Sequence, residues 1–445
     1  MLSQADNEFL TRSGPGTPMG ELLRRFWMPA LLSEELPERD GPPKKIKLLG
    51  EDLLAFRATD GKVGIVEPHC PHRGANLYYG RNEECGLRCA FHGWKFDTDG
   101  NCVDLPTSPP ESTYKDTIKL LAYPTREWGD MIWVYMGPRD KMPELPQLEM
   151  GLVPTSQRYV SKKWQDCNWV QSLEGGIDTA HFSFLHAVLT KDEKEALAIY
   201  AKSAALGDQS KRDDRVRWVR NDPRPRFSII GHDAGLVIGG ARKTDGAELY
   251  WRIAQFLMPN HAFAPAAMPG EVYYGQAWVP VSDTECWIYT YSWRPDRAFT
   301  NSERTQFDGG FGVHSEVGDD YVPLRNMKND YLIDRAEQKH TSFTGITGVS
   351  EQDSAIQDSQ GPIQDRTREH LGPTDLGIVE FRKLIMGAAR ALQQGAEPKA
   401  AAAAKRYAVR SGGWIAAPTE DLAAVMTERF GHPHGYVGYE YGFAE

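Results

Sequence analysis

The sequence predicts an α+β protein in two parts, and three observations support this prediction. Short strand-like runs separated by tight turns fill most of the first 150 residues, which indicates a small all-β domain. Five further strand-like runs follow one another between residues 226 and 293 without helical patterns between them, which favours an antiparallel sheet over βαβ units. Helical patterns lie on either side of these runs. We therefore expect an all-β domain over residues 1–150. Residues 151–445 should form a domain with helices on one side of a curved antiparallel sheet, in a helix-grip-like arrangement.

Composition limits the possible partners and compartment. The chain has 445 residues, of which 40% are hydrophobic and 25% charged, with a net charge of −10. This length allows two or three domains with full-sized cores. The negative charge argues against binding to nucleic acid or to an anionic membrane surface. The first ten residues lack a basic segment and an apolar run, and no stretch approaches the length of a membrane span. The sequence therefore predicts a cytoplasmic protein.

In the first part, the apolar spacing of Pro18–Leu31 predicts a short helix. The Pro-rich residues 137–154 predict a linker, so the first domain should end near residue 150. Strands are expected within residues 44–67, 118–121 and 131–135, with turns at residues 59–61 and 97–100.

The second part should open with a helix from Cys167 to Leu189. The polar stretch 191–225 has weak periodicity and is expected to be partly mobile. Residues 294–340 are rich in loops, residues 376–395 are strongly helical, and Ala400–Ala404 predicts the start of a further helix. The five strand-like runs are RFSIIG, GLVIGGAR, ELYWRIAQFLMP, EVYYGQAWVPV and ECWIYTYSW.

The stretch from Cys70 to Phe96 carries two short metal-binding patterns, Cys70-x-His72 and Cys89-x-x-His92. Two thiolates and two imidazoles suit tetrahedral zinc, and they also suit a 2Fe-2S cluster with the thiolates on one iron and the imidazoles on the other. Abundant glycines, which permit tight turns, and aromatic residues, which would shield the centre from water, favour the cluster. The aromatic residues are Tyr78, Tyr79, Phe91 and Trp94. The remaining cysteines are expected to be reduced thiols, namely Cys85, Cys102, Cys167 and Cys286.

A second group of candidate ligands lies in the pattern Glu174-x-x-x-Asp178-x-x-His181-x-x-x-x-His186. On one helix, the first three residues would share a face, because offsets of three and four residues return to the same side. His186 would point about 140° away from His181, so a shared metal requires that the helix bulge or end between them. A salt-bridged surface helix is the alternative interpretation of these four residues.

The combination CPHRGA…C-x-x-HGWKFD resembles the cluster-binding signature of the Rieske non-haem iron oxygenases. The C-terminal segment GPIQDRTREHLGPTDLGIVEFRKL and the N-terminal GPGTPMGELLRRFW extend the resemblance to the phthalate dioxygenase-like family. The resemblance implies a Rieske 2Fe-2S cluster on Cys70, His72, Cys89 and His92. It also implies a mononuclear Fe(II) bound by His181, His186 and one carboxylate.

The resemblance also assigns roles to the acidic residues. Within Gly348–Gly372, the family's carboxylate ligand matches Asp353, with Asp358 as the alternative. Asp178 matches a family residue that hydrogen-bonds both the first iron histidine and a cluster histidine of the neighbouring subunit, here His92, whereas an ordinary surface aspartate is the alternative. Such a bridge implies a homotrimer, or a multiple of it, in which each cluster serves its neighbour's iron.

The family relationship implies a terminal oxygenase that uses O2 to oxidise an aromatic carboxylic acid. O-demethylation of a methoxylated, lignin-derived acid, including biaryl acids, is the first expectation, and cis-dihydroxylation of phthalate or a related benzoate is the alternative. Arg242, at a strand end, lies in a region where the phthalate dioxygenase-like family carries a substrate-binding arginine, and an exposed structural arginine is the equally compatible alternative. Arg212, Arg215 and Arg217 are other basic candidates, but the alignment does not assign them.

Electrons must come from a partner, because the chain shows no plant-type ferredoxin spacing and no dinucleotide-binding fold motif. The resemblance therefore implies an NAD(P)H-dependent reductase, with or without a ferredoxin. A Rieske electron carrier that does no chemistry is the alternative of another class. A second ligand set and roughly 300 residues beyond the cluster region argue against it.

Overall fold

The structure, a computed structural model, describes residues 1–189, 212–265 and 271–437. Within these ranges, no helix is long and apolar enough to cross a membrane. Part of the predicted mobile stretch, residues 190–211, lies outside the described residues. The remainder of that stretch begins with a helix over Arg212–Asn221.

The N-terminal part is built from three small antiparallel sheets, as the short strands and turns predict. In the described residues their strand orders are β1-β11-β10, β2-β3-β4-β9 and β5-β6-β7-β8. The third sheet and its loops carry the cluster motif. The strands are β1 (Trp27–Leu32), β2 (Lys44–Leu48), β3 (Glu51–Arg57), β4 (Val63–Val66), β5 (Arg81–Glu83), β6 (Gly86–Arg88), β7 (Lys95–Phe96), β8 (Cys102–Asp104), β9 (Ala122–Tyr123), β10 (Thr125–Trp128) and β11 (Met131–Tyr135).

The C-terminal part contains one antiparallel sheet that is eight-stranded in the described residues. Its order is β12-β18-β17-β16-β15-β14-β13, and β19 pairs with β15. All five predicted strand runs are confirmed, as β13, β14, β15, β17 and β18. The strands are β12 (Arg158–Gln165), β13 (Arg226–His232), β14 (Gly235–Lys243), β15 (Leu249–Leu257), β16 (His261–Phe263), β17 (Tyr273–Pro280), β18 (Cys286–Trp293) and β19 (Gly412–Ala416).

Helices pack against this sheet, and one of them carries the candidate iron ligand Asp353. Two of them, α4 and α8, contact each other, and the Gln171 side chain of α4 donates to the Gln357 carbonyl of α8 at 2.9 Å. The described helices are α1 (Gln4–Thr11), α2 (Pro18–Leu23), α3 (Glu149–Leu152), α4 (Trp169–Ile177), α5 (Arg212–Asn221), α6 (Asn301–Asp308), α7 (Arg335–His340), α8 (Val349–Ser359), α9 (Leu376–Gln393) and α10 (Leu422–Phe430). The predicted helix at residues 376–395 is confirmed as α9.

Four local predictions are wrong. The strand expected at residues 118–121 is absent, and β9 covers Ala122–Tyr123 instead. The predicted helix over Pro18–Leu31 ends at Leu23, and β1 begins at Trp27. The helix expected from Cys167 to Leu189 covers only Trp169–Ile177, and β12 precedes it. Ala400–Ala404 forms short 3-10 turns and no α-helix. The first two helices end where the Arg24 and Asp178 backbone amides donate to the carbonyls of Gly20 and Glu174, respectively. The domain boundary near residue 150 stays a prediction.

Candidate metal centres

Two loops of the same backbone design carry the predicted cluster ligands. In the first, the Gly74 amide donates to the Cys70 carbonyl at 2.9 Å. In the second, the Gly93 amide donates to the Cys89 carbonyl at 3.0 Å. Both glycines have left-handed φ angles, +74° for Gly74 and +79° for Gly93. Residues with a side chain rarely adopt this conformation, so the glycines allow each loop to turn back toward its cysteine.

The four predicted ligands come together between the two loops. The rings of His72 and His92 lie 4.5 Å apart, centroid to centroid. Cys70 and Cys89 are buried, and burial, with the neighbouring Cys89 thiol, raises the pKa of the Cys70 thiol to about 11. A metal bound at the sulfur stabilises the thiolate and opposes this rise in pKa. Nδ1 of His92 is buried and has no hydrogen-bond partner in the described structure. These features fit a cluster held by two thiolates and two imidazoles.

The aromatic shield around this centre is smaller than the sequence predicted. Trp94 is buried and stacks on the His72 ring at 4.4 Å, with only 12° between the ring planes. Phe91 and Tyr79 are 56% and 72% exposed in the single chain. The Phe91 ring still covers part of the His92 ring, with 4.1 Å between the ring centroids, so the expected shielding is wrong for Tyr79 and partly met by Phe91.

At the second centre, helix α4 ends before either histidine. Ile177 is its last residue, Asp178 caps the end, and His181 begins a 3-10 turn over His181–Ser183. The expected single helical face through Glu174, Asp178 and His181 is therefore wrong. Because the chain has left the helix, His186 can turn back toward His181. The sequence required the helix to bulge or end between His181 and His186. The helix does end, but before both histidines.

The structure brings Asp353 to these two histidines from helix α8. The Nε2 atoms of His181 and His186 lie 3.1 Å apart, and Asp353 Oδ1 lies 3.5 Å and 3.3 Å from them, respectively. Adjacent ligands of an octahedral metal with bonds of about 2.1 Å are separated by about 3.0 Å. One ligand atom from each of these three side chains lies within 4.8 Å of the other two, so together they could hold one metal ion. Two imidazoles and one carboxylate on one face suit Fe(II) with positions open for O2 and substrate.

Asp358, the alternative ligand, lies elsewhere in the polar core. Its carboxylate accepts hydrogen bonds from Gln165 and Tyr331, and burial raises its pKa. The Glu174 carboxylate is also paired elsewhere, because it accepts hydrogen bonds from the buried Arg366 and Arg382 at 2.9 and 2.7 Å, respectively. Neither carboxylate joins the candidate metal site.

Each histidine of the site has a different hydrogen-bond partner on its Nδ1 atom. Asp178 Oδ2 lies 3.3 Å from Nδ1 of His181. Burial opposes ionisation of Asp178, but its hydrogen bond with His181 and the charge of that ring hold its pKa below the usual value. Nδ1 of His186 instead faces the amide oxygen of Gln352 at 2.6 Å. Gln352 was not predicted from the sequence, where its position next to Asp353 is the only indication of a role at this site.

Arg242, the predicted substrate residue, is completely buried and contacts the loop that carries His181. Its Nη2 donates to the Thr179 carbonyl at 2.6 Å and its Nη1 to the Thr179 hydroxyl at 3.2 Å. The alternative of an exposed structural arginine is wrong, because the side chain is 0% exposed. The Arg242 guanidinium therefore holds Thr179, the residue that follows Asp178, in place. Its role toward substrate stays a prediction.

A second buried arginine, Arg252, lies closer to the histidine rings. Its guanidinium carbon is 4.0 Å from the centroid of the Phe182 ring, which lies 4.9 Å from His181 and 4.6 Å from His186. Burial and the charge of Arg252 together lower the pKa of Arg242. The sequence analysis overlooked Arg252, although a charge within the apolar run of β15 was an available signal.

Comparison with known proteins relates both centres to one family. Residues 26–122 match the family described as Rieske [2Fe-2S] domain, and residues 134–415 match the family described as LigXa C-terminal domain like. The chain belongs to the Rieske non-haem iron oxygenases. This oxygenase therefore carries a 2Fe-2S cluster and a mononuclear iron.

Three of its curated relatives are oxygenase subunits. The 3-chlorobenzoate-3,4-dioxygenase oxygenase subunit of Comamonas testosteroni is 38% identical over 95% of this chain and 98% of the relative. The phthalate 4,5-dioxygenase oxygenase subunit of Pseudomonas putida is 38% identical over 89% and 88% of the two chains. The 5,5'-dehydrodivanillate O-demethylase oxygenase subunit of Sphingobium sp. is 31% identical over 90% and 83%.

Among solved structures, the crystal structure of dicamba monooxygenase bound to dicamba has the same fold. It matches this Rieske oxygenase with a TM-score of 0.57 at 16% sequence identity, covering 84% of this chain and 99% of that chain. The predicted α+β class, with an all-β Rieske domain and an antiparallel catalytic sheet, is confirmed.

Proposed function

We propose that this Rieske oxygenase oxidises an aromatic carboxylic acid and that the buried guanidinium of Arg252 anchors the substrate carboxylate. The position of Arg252 carries the proposal, because its guanidinium contacts the Phe182 ring, which in turn contacts both histidine rings. A guanidinium binds a carboxylate through two parallel hydrogen bonds, which orients the acid as well as holding it.

The arrangement of β15 supports this role. Arg252 is paired with Gly240 on β14 and with Gly413 on β19, so the side chain is flanked by glycine on both sides. Residues paired directly across two strands share a face of the sheet, as do residues two positions apart on one strand. Because Arg252 pairs with Gly240 and Arg242 lies two positions after Gly240, the two arginines share a face. Two buried positive charges on one face favour an anionic ligand there. The carboxylate would lie between the sheet and the iron, with the aromatic ring directed toward the metal.

The proposed ligands follow from the two centres. Cys70 and Cys89 would bind one iron of the cluster, and His72 and His92 the other. The catalytic Fe(II), bound by His181, His186 and Asp353, would supply the activation of O2. Arg252 would fix the acid end of the substrate, and Arg242 would hold the Asp178–His181 loop in place by binding Thr179.

We propose further that the chain acts as a homotrimer, or a multiple of it, in which Asp178 bridges His181 to His92 of the neighbouring subunit. The Asp178 side chain is 25% exposed in the single chain and is thus accessible to a neighbour. Exposed apolar residues lie near both centres, with Phe91 beside the cluster loop and Phe184 and Phe343 beside the His181 turn. Burial of such surfaces favours association.

The electron donor would be an NAD(P)H-dependent reductase, with or without a ferredoxin. The curated relatives above are described as oxygenase subunits, which supports a partner-dependent system. Rieske potentials of roughly −150 to +300 mV lie above the roughly −400 mV of plant-type ferredoxins, so this electron transfer is downhill.

Two reactions remain to be distinguished for the same site. The sequence led first to O-demethylation of a methoxylated acid, which is supported by the 31% identity to the dehydrodivanillate O-demethylase subunit. Ring cis-dihydroxylation is supported by the 38% identity to two relatives named as ring dioxygenases. The higher identity favours dihydroxylation. The pose set by Arg252 would decide between them, because it determines which substrate carbon faces the iron.

The carboxylate anchor can be tested by comparing each aromatic acid with its carboxamide. We expect Arg252→Gln to weaken binding of the acid about 10- to 100-fold, the equivalent of one charge-assisted contact, and to affect the carboxamide much less. Arg252→Lys should restore part of the binding. Arg226→Gln, at an exposed position of β13, is the control. Equal losses for acid and amide would contradict the proposal. Formaldehyde released with a phenol would identify demethylation, whereas a cis-diol would identify dihydroxylation.

A further inference from the structure

Helix α8 contacts the candidate iron site through two consecutive residues. Asp353 points its carboxylate at both histidines, whereas Gln352 reaches the far side of the His186 ring. Gln352 is 7% exposed, and its side-chain amide makes two hydrogen bonds. The oxygen faces Nδ1 of His186 at 2.6 Å, and the nitrogen donates to the Ile346 carbonyl at 2.8 Å.

These two hydrogen bonds determine the tautomer of His186. A backbone carbonyl can only accept, so the Gln352 nitrogen must face Ile346 and the Gln352 oxygen must face the ring. That oxygen can also only accept, so Nδ1 of His186 must carry the proton. Nε2 is then left with its lone pair directed toward Asp353 and His181, which is the form that binds a metal.

The fold holds Gln352 in place without help from the metal ligands. On β12, the buried Lys163 donates to the hydroxyls of Ser350 and Ser354, both at 2.6 Å, so helix α8 is attached to the sheet on either side of Gln352. One turn further along α8, Gln165 donates to the Gln357 side chain at 2.9 Å. The Gln352 amide is therefore part of a fixed framework.

We propose that Gln352 is a positioning residue that sets the tautomer and direction of His186 and ties this ligand to the helix that supplies Asp353. The proposal rests on the assignment of His186 and Asp353 as iron ligands. It also makes the two imidazoles unequal. Asp178 places a negative charge behind His181, whereas Gln352 places a neutral acceptor behind His186, so His181 is the stronger electron donor to the metal.

The test compares Gln352→Leu, which removes the acceptor, with Gln352→Glu, which keeps an acceptor and adds charge. Gln393→Leu, at the exposed end of α9, is the control. The measurements are the rate at which a chelator removes the mononuclear iron and the electron paramagnetic resonance spectrum of its ferrous nitrosyl complex. Neither measurement requires turnover, and the visible spectrum of the cluster reports whether each variant is folded.

We expect Gln352→Leu to lose iron about 10- to 100-fold faster and to change the nitrosyl spectrum. Gln352→Glu should retain iron at close to the original rate, with a spectrum that differs from that of the unaltered protein. Unchanged iron release and an unchanged spectrum in Gln352→Leu would overturn the proposal while leaving the ligand assignment intact. Absence of a third iron in the unaltered protein would overturn the ligand assignment and, with it, the role of Gln352.

Discussion

Replacement of Asp178 by asparagine tests the connection between the two metal centres. Asp178 Oδ1 accepts from the Ala180 amide at 2.6 Å, and asparagine can keep that contact, so the turn should survive. The other oxygen faces Nδ1 of His181 at 3.3 Å. An amide nitrogen there would place one donor against another, and the charge that polarises His181 would be lost. Loss of such a partner typically costs about 10- to 100-fold in metal affinity or activity.

We therefore expect Asp178→Asn to retain its cluster and, at saturating iron, its mononuclear iron. Oxidation of the reduced cluster in the presence of O2 and an aromatic acid should slow by about 10- to 100-fold or more. Rapid mixing that follows the cluster absorbance measures this rate. Asp233→Asn, at a side chain that is 70% exposed, is the matched control. A rate equal to that of the unaltered protein would refute the proposed bridge through Asp178.

Four further predictions follow. Asp353→Ala should lose mononuclear iron and turnover but keep the cluster spectrum, whereas Asp358→Asn should keep the iron. Loss of iron from Asp358→Asn but not from Asp353→Ala in an iron assay would make Asp358 the ligand. A chelator should remove the mononuclear iron before the cluster, because buried thiolates hold the latter, and added Fe(II) should restore turnover. Mixed trimers of Cys70→Ser and Asp353→Ala chains should recover activity if electrons cross between subunits, and should stay inactive if they do not. Burial opposes ionisation of Glu303, but hydrogen bonds from Arg297 and Thr300 lower its pKa from 4.5 to about 2. Ionised Glu303 therefore stabilises the fold above pH 4.5, and this stabilisation is lost as the pH falls toward 2. The stability deficit of Glu303→Gln in urea should therefore be smaller at pH 3 than at pH 6, and an equal deficit would contradict this.

The sequence predicted best those features whose residues are close together in the chain. The candidate cluster ligands lie within 23 residues, from Cys70 to His92, and the turn glycines Gly74 and Gly93 each lie four residues after a cysteine. The strands were predicted from apolar runs bounded by turn residues, and all five expected in the catalytic sheet were found. Local patterns suffice where local geometry builds the feature.

Features that depend on distant contacts could not be predicted in this way. Asp353 was assigned by family resemblance, since no spacing relates it to His181 in the sequence. The end of α4 at Ile177 was missed because the helical pattern continues past it. Arg252 contacts Phe182, and Gln352 contacts His186; only the fold brings these partners together.

The most direct test of the account is a single turnover without any reductase. Protein with a full complement of iron is reduced chemically, freed of reductant and mixed with O2 and a panel of benzoates, phthalates and methoxylated aromatic acids. We expect three irons per chain, oxidation of the cluster and a stoichiometric amount of oxygenated product. No product should form after the mononuclear iron is removed. Two irons per chain and cluster oxidation without product would contradict the account and identify an electron carrier.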